Sequence, residues 1–187
     1  MKQRCRANIA ATLALVSALA TVACATGSRA QSHTAKLEDA EVAIAAFKAA
    51  DPSLEQLFQT AYAFAIYPCV GKGGFIFAGA YGRGIVYEQG KPVGRTKLTQ
   101  VTVGPQIGGQ AYSELLFFKH KAALDGFKGR NSELAAQASA VIDTDGVAAK
   151  ASYDSSGVAV FIHVKGGAML EVSVGGQGFE FEPGLGD

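Results

Sequence analysis

Residues 64–87 read FAIYPCVGKGGFIFAGAYGRGIVY, and the fold turns on how this stretch is read. Bulky β-branched and aromatic residues come in short runs, 64–67, 74–80 and 84–87, each cut off by glycine before a helical spacing can repeat. Runs of this make-up are strands. The texture continues outward through 98–103 and 113–118. Between them, Glu88-Gln89-Gly90-Lys91-Pro92 has the chemistry of a hairpin turn, because Gly90 can take a positive φ and Pro92 suits an edge. Further on, 148–153, 158–164 and 168–174 read as strands, Gly166-Gly167 turns the last two, and the alternation Phe179-Glu180-Phe181 adds one more.

The remaining segments are helical. Over 35–50 the apolar residues Leu37, Ala40, Ile44 and Phe47 recur at threes and fours, with Lys36, Glu38, Asp39, Glu41 and Lys48 elsewhere, which is one face of a helix. Thr34 suits its N-cap. Asp51-Pro52 ends it and opens a second helix over 52–60. Residues 120–127 and 132–141 read as two more, with Asn131 or Ser132 capping the last. Short strands with short connections and few helices predict an α+β fold: a curved, glycine-rich antiparallel β-sheet or partial barrel with helices packed on one side.

The chain has 187 residues, enough for one core and short for two. With 49% hydrophobic and 18% charged residues it has the apolar surface to fold, and a formal charge of +1 excludes a strongly basic nucleic-acid binder. Lys2, Arg4 and Arg6 precede the uncharged run 9–22, which is shorter than the roughly 20 residues that span a bilayer, so 1–23 reads as a signal peptide. Two cleavage readings compete. Leu19-Ala20-Thr21-Val22-Ala23-Cys24 has the form of a bacterial lipobox, with Thr21 where an aliphatic residue is usual; Cys24 is then the lipidated N-terminus and 24–34 a small, polar tether. Alternatively, Ser28-Arg29-Ala30 suits ordinary cleavage after Ala30. In the lipoprotein reading Cys69 is the only thiol left and no internal disulfide can form; cleavage after Ala20 or Ala23 without lipidation would instead leave Cys24 and Cys69 able to pair, and cleavage after Ala30 would leave only Cys69. The domain proper is 35–187, with 35–60 as its helical lead.

Motifs of catalysis fail one by one. His33, His120 and His163 have no Cys or His partner at zinc-ligand spacing. Gly71-Lys72-Gly73-Gly74 lacks the spacing and the hydroxyl residue of a phosphate loop, and Gly79-Ala80-Tyr81-Gly82-Arg83-Gly84 leads into a strand where a dinucleotide fingerprint needs a helix. Asp143-Thr144-Asp145-Gly146 lacks the third acid and distal Glu of a calcium loop. No serine comes with an identifiable His and acid, and Glu114, Asp125 and Glu133 are carboxylates whose mutual placement depends on the fold. The expectation is no enzyme, no cofactor, no metal site and no catalytic residue.

Charge says more. Residues 66–130 carry nine basic residues against three acidic, whereas 131–187 carry two against eight. Either the two regions neutralise one another in the fold, or the first presents a basic face to anionic lipid.

Several motifs fall in one order: Ala63-Phe64-Ala65-Ile66-Tyr67-Pro68, Gly71-Lys72-Gly73-Gly74-Phe75, Gly79-Ala80-Tyr81-Gly82-Arg83-Gly84, Val103-Gly104-Pro105-Gln106-Ile107-Gly108-Gly109-Gln110, Tyr153-Asp154-Ser155-Ser156-Gly157-Val158 and Lys165-Gly166-Gly167-Ala168. In this order the chain resembles the SYLF family of lipid-binding domains, over about two thirds of its length. The resemblance implies a single α+β domain that binds acidic phospholipids, and bacterial relatives that look like envelope lipoproteins facing the periplasm. Actin binding, found in some fungal members, is not carried over. The matched cationic positions Lys72, Arg83 and Lys165 are the implied lipid contacts, and Lys91, Arg95 and Lys97 join them on the charge argument alone. The expected partner is an acidic phospholipid membrane. The alternative is an envelope scaffold that meets a protein partner and uses lipid only as an anchor.

Overall fold

The computed structural model describes residues 37–129, 132–134, 139–142, 153–171 and 174–185. The leader, the tether with Cys24, the Thr34 and Asn131 caps, the turn at 143–146 and most of the strand expected at 148–153 lie outside these residues. Helices α1 (Leu37–Ala50) and α2 (Leu54–Thr60) precede strands β1 (Ala63–Glu88) and β2 (Lys91–Phe118). Helix α3 (Lys121–Lys128) and strands β3 (Ser132–Leu134), β4 (Ser139–Ile142), β5 (Val158–Glu171) and β6 (Val174–Pro183) follow.

The five strands read from 64–118 are two. Glycine does not interrupt a ladder when the opposite strand still offers a partner for its backbone, and β1 pairs with β2 from Ala63↔Phe118 to Glu88↔Lys91. Gln89 and Gly90 close this hairpin with φ of 49° and 75°, a two-residue turn with both central residues left-handed. Gly166-Gly167, expected to turn the chain, instead runs through β5 opposite Ala111 and Gln110. On its other edge β2 pairs first with β6, over 95–103, and then with β5, over 106–118. The sheet order is β3–β6–β2–β5–β4 with β1 beside β2; it is not closed, and every ladder is antiparallel except β4–β5.

The helix expected over 132–141 is corrected. Ser132–Leu134 pairs with β6 and Ser139–Ile142 runs parallel to β5. Both segments lie on outer edges, where they give hydrogen-bond partners to backbone groups that would otherwise be bare, and that tertiary gain overrides the helix propensity of an alanine-rich run.

A straight strand of 26 residues would span more than about 80 Å, yet the two ends of β1 touch. Gln89 N donates to Tyr62 O at 3.1 Å, Phe64 stacks on Tyr87 with ring centroids 4.7 Å apart, and a Cβ at Gly84 would lie 2.5 Å from Ile66 O. The hairpin therefore doubles back, at the register shift between Phe75 and Phe77.

Strand alternation then divides the core. Ala63, Ala65, Tyr67, Val86, Leu98, Leu116 and Phe118 face one apolar cluster, which α3 enters with Ala123, Leu124 and Phe127. Phe64, Ile66, Ile85, Tyr87, Leu115 and Phe117 face the other, beneath Ala40, Ala43 and Phe47 of α1 and Leu54 of α2. Helices thus cover both faces rather than one. The apolar side of α1 is core, rotated so that Leu37 stays exposed and Ala43 goes inside.

Candidate functional site

The six cations singled out in the sequence fall into separate groups. Arg83 and Lys97 face each other across β1 and β2, and Arg95 lies opposite Ile85, so the three share one face. Ladder pairing with β6 sets Glu182 beside Arg95 and Glu180 beside Lys97. Lys97 Nζ bonds Glu182 at 2.6 Å and Glu180 at 3.5 Å, and the Glu182 hydrogen bond holds the ammonium above its ordinary pKa. Glu182 is held below the usual carboxylate range, first by Lys97 and then by the fields of Arg95 and Arg83. The basic middle and the acidic end of the sequence meet here. Arg83 also donates from Nε to Tyr81 Oη at 2.8 Å, with its guanidinium 5.6 Å from that ring.

Lys91 is exposed beside the hairpin turn, opposite Glu88. Lys72 and Lys165 are on opposite faces: Lys72 follows Val70 on the α3 side, and Lys165 follows Phe161 and His163 on the α1 side. Burial pushes the Lys165 ammonium below its ordinary pKa, opposed by the charge of Asp39 on α1. The fold does not gather all six into one patch.

It does make one long hairpin poor in free carboxylates. The two acids of 63–118 are Glu88 and Glu114. Glu88 accepts from Lys128 Nζ at 2.8 Å and Tyr62 Oη at 2.8 Å, which lower its pKa, and Glu114 is fully buried. Lys72, Arg83, Lys91, Arg95 and Lys97 all lie on this hairpin.

Inside, Glu114 accepts from Gln177 Nε2 at 3.2 Å through one oxygen, and its other oxygen, Oε1, has no partner. Burial raises its pKa to about 8, against the pull of the Gln177 bond and the Lys72 charge, so the carboxyl is mostly protonated at neutral pH. Asp125, by contrast, is exposed and paired with Lys121 at 2.7 Å, so the fold does not bring these two carboxylates together. His163 meets Phe47 edge-on, and His120 accepts from Ala123 N at 3.1 Å to cap α3. Among the described residues no group of three or more His, Cys, Asp or Glu is placed to hold a metal ion, and no helix is long and apolar enough to cross a membrane.

One feature escaped the sequence reading. Phe75, Ile76, Phe77, Tyr81, Val101, Val103 and Ile107 are all exposed, and most of them line the place where the hairpin doubles back. The signal in the sequence was Phe75-Ile76-Phe77, three consecutive bulky residues where a half-buried strand should alternate. The chain has no match among the known protein families or the curated proteins with which it was compared.

Proposed function

We propose that the protein is an envelope lipoprotein with a SYLF-like domain, a curved partial barrel in outline, that associates reversibly with acidic phospholipid through basic residues of the β1–β2 hairpin. The observation that carries this reading is the charge state of that hairpin. Five cations lie along it, of which Lys97 is already paired with Glu182 and Glu180 of β6; one of the hairpin's two carboxylates is buried and the other is bound by Lys128 and Tyr62. A lysine or arginine near an anionic surface contributes up to about 1 kcal/mol, so four acting together would give a dissociation constant no better than about the millimolar range. That is weak in free solution. A lipid anchor at Cys24 would hold the domain at the membrane, where weak contacts become occupied.

The test is sedimentation with vesicles. Binding is expected to rise with the fraction of phosphatidylglycerol or phosphatidic acid and to fall as salt is added. Arg83→Glu with Lys91→Glu should reduce it, while Lys97 is left in place because Glu180 and Glu182 depend on it. Equal capture by neutral vesicles, or capture indifferent to these changes, defeats the proposal. A stoichiometric crosslinked protein with no lipid preference would favour a scaffold instead.

A further inference from the structure

The exposed apolar corner has features that folding alone does not account for. All eleven phenylalanines fall among the described residues; nine are buried or half-buried, and the two exposed ones, Phe75 and Phe77 at 66% each, sit either side of Ile76. Ladder register sets Phe75 opposite Ile107 and Phe77 opposite Val103, so the exposed residues of the two strands adjoin. Ile76 itself has a φ of 63°. A β-branched residue in the left-handed region is strained, and glycine or asparagine would serve the turn better. The corner thus keeps both strain and exposed apolar surface where the fold gains from neither.

Charge indicates what covers it. No Asp or Glu occurs in 56–87 or 89–113, while Lys72 and Arg83 stand on β1 on either side of the corner. Glu171, in register with Gln106, is the one acidic residue at the described ladder positions around it. A second copy of the chain would bring like charges together. The apex of a doubled-back hairpin is also convex, a poor shape for pairing with itself. An anionic bilayer suits both features, since it offers acyl chains to the apex and phosphates to the flanking cations.

We infer that this corner inserts Phe75, Ile76 and Phe77 into the headgroup–acyl boundary of the membrane, with Val101, Val103 and Ile107 at its edge. Insertion by about 5–10 Å would bring the apex among the acyl chains and leave the cations at headgroup level. The inference rests on the membrane reading above and deepens it, making headgroup charge the source of selectivity and the corner the source of grip.

The chain contains no tryptophan, so Phe77→Trp gives a single reporter, with Val42→Trp on the exposed side of α1 as control. The full chain is mixed with vesicles whose acyl chains are brominated, in neutral and phosphatidylglycerol-containing sets. Blue-shifted emission from the Phe77→Trp chain, quenched at least twofold more than that of the Val42→Trp chain, is the expected result. Quenching only on anionic vesicles supports insertion and the headgroup reading together. Equal quenching on both supports insertion and defeats the headgroup reading. No quenching beyond the control overturns insertion, whatever sedimentation shows. A blue shift without vesicles that grows with protein concentration overturns it in favour of a second copy. Ile76→Gly added to Phe77→Trp separates insertion from folding: it should raise the thermal midpoint by relieving the backbone while weakening the quenching.

Discussion

Glu114 shows how much a single residue owes to register. Within the strand read at 113–118, alternation already puts it on the side of Leu116 and Phe118, so an inward-facing carboxylate was legible in the sequence. That both faces of this strand would be covered was not, because the cover comes from α3 on one side and α1 on the other. Burial has a consequence for pH. Native Glu114 titrates at about 8, while the unfolded chain has the ordinary value of 4.5. Between these values the native state holds a proton that the unfolded state releases. Its contribution to stability is therefore full below pH 4.5 and fades as pH rises through 8. At about 1.4 kcal/mol per pKa unit the loss is on the order of 5 kcal/mol. Urea unfolding at pH 5, 6.5 and 8 should show stability falling with pH, and Glu114→Gln should flatten the trend and stabilise the protein at pH 8. An unchanged pH slope in the variant would mean that Glu114 ionises in place without penalty.

At the scale of elements, the sequence showed which segments are extended but not how they join. Composition marks a strand locally, whereas continuity depends on whether a partner lies alongside, and β2 supplies one across all the glycines between Val70 and Gly84. Those glycines have unequal tasks. Gly84 sits where the two halves of β1 meet, and a Cβ there would lie 2.5 Å from Ile66 O and 2.8 Å from the Tyr67 ring. Gly71 has nothing within 4 Å of an added Cβ. Gly84→Ala should therefore cost roughly 1–3 kcal/mol through forced displacement of β1, whereas Gly71→Ala should be neutral or slightly stabilising because it restricts the unfolded chain. Thermal midpoints of the two variants measured side by side test this. Equal shifts would mean that the halves of β1 do not pack as described. The misread segment 132–141 has the same lesson from the other side, since its strands exist only because β6 and β5 offer edges.

Over the whole molecule, the charge segregation along the sequence becomes a spatial juxtaposition, Lys97 between Glu180 and Glu182, so part of the hairpin's positive charge is neutralised within the fold. What remains cationic is most useful to a domain kept at a surface, which makes the state of Cys24 decisive. In the structure Cys69, half-buried at the first register shift of β1, is disulfide-bonded. The only other cysteines in the sequence are Cys5 and Cys24. A thioether at Cys24 and a disulfide from the same sulfur exclude each other, and in the lipoprotein reading Cys5 is removed with the leader. Lipidation of Cys24 is therefore incompatible with a disulfide between Cys24 and Cys69. If Cys24 is lipidated, the mature protein denatured without reductant takes up maleimide at Cys69 and gives an N-terminal peptide with the mass of an acylated Cys24. Labelling that appears only after reduction would mean that Cys24 is committed to Cys69. The domain would then lose its anchor, and the millimolar contacts of the hairpin would be too weak to hold it at a membrane without the apolar corner.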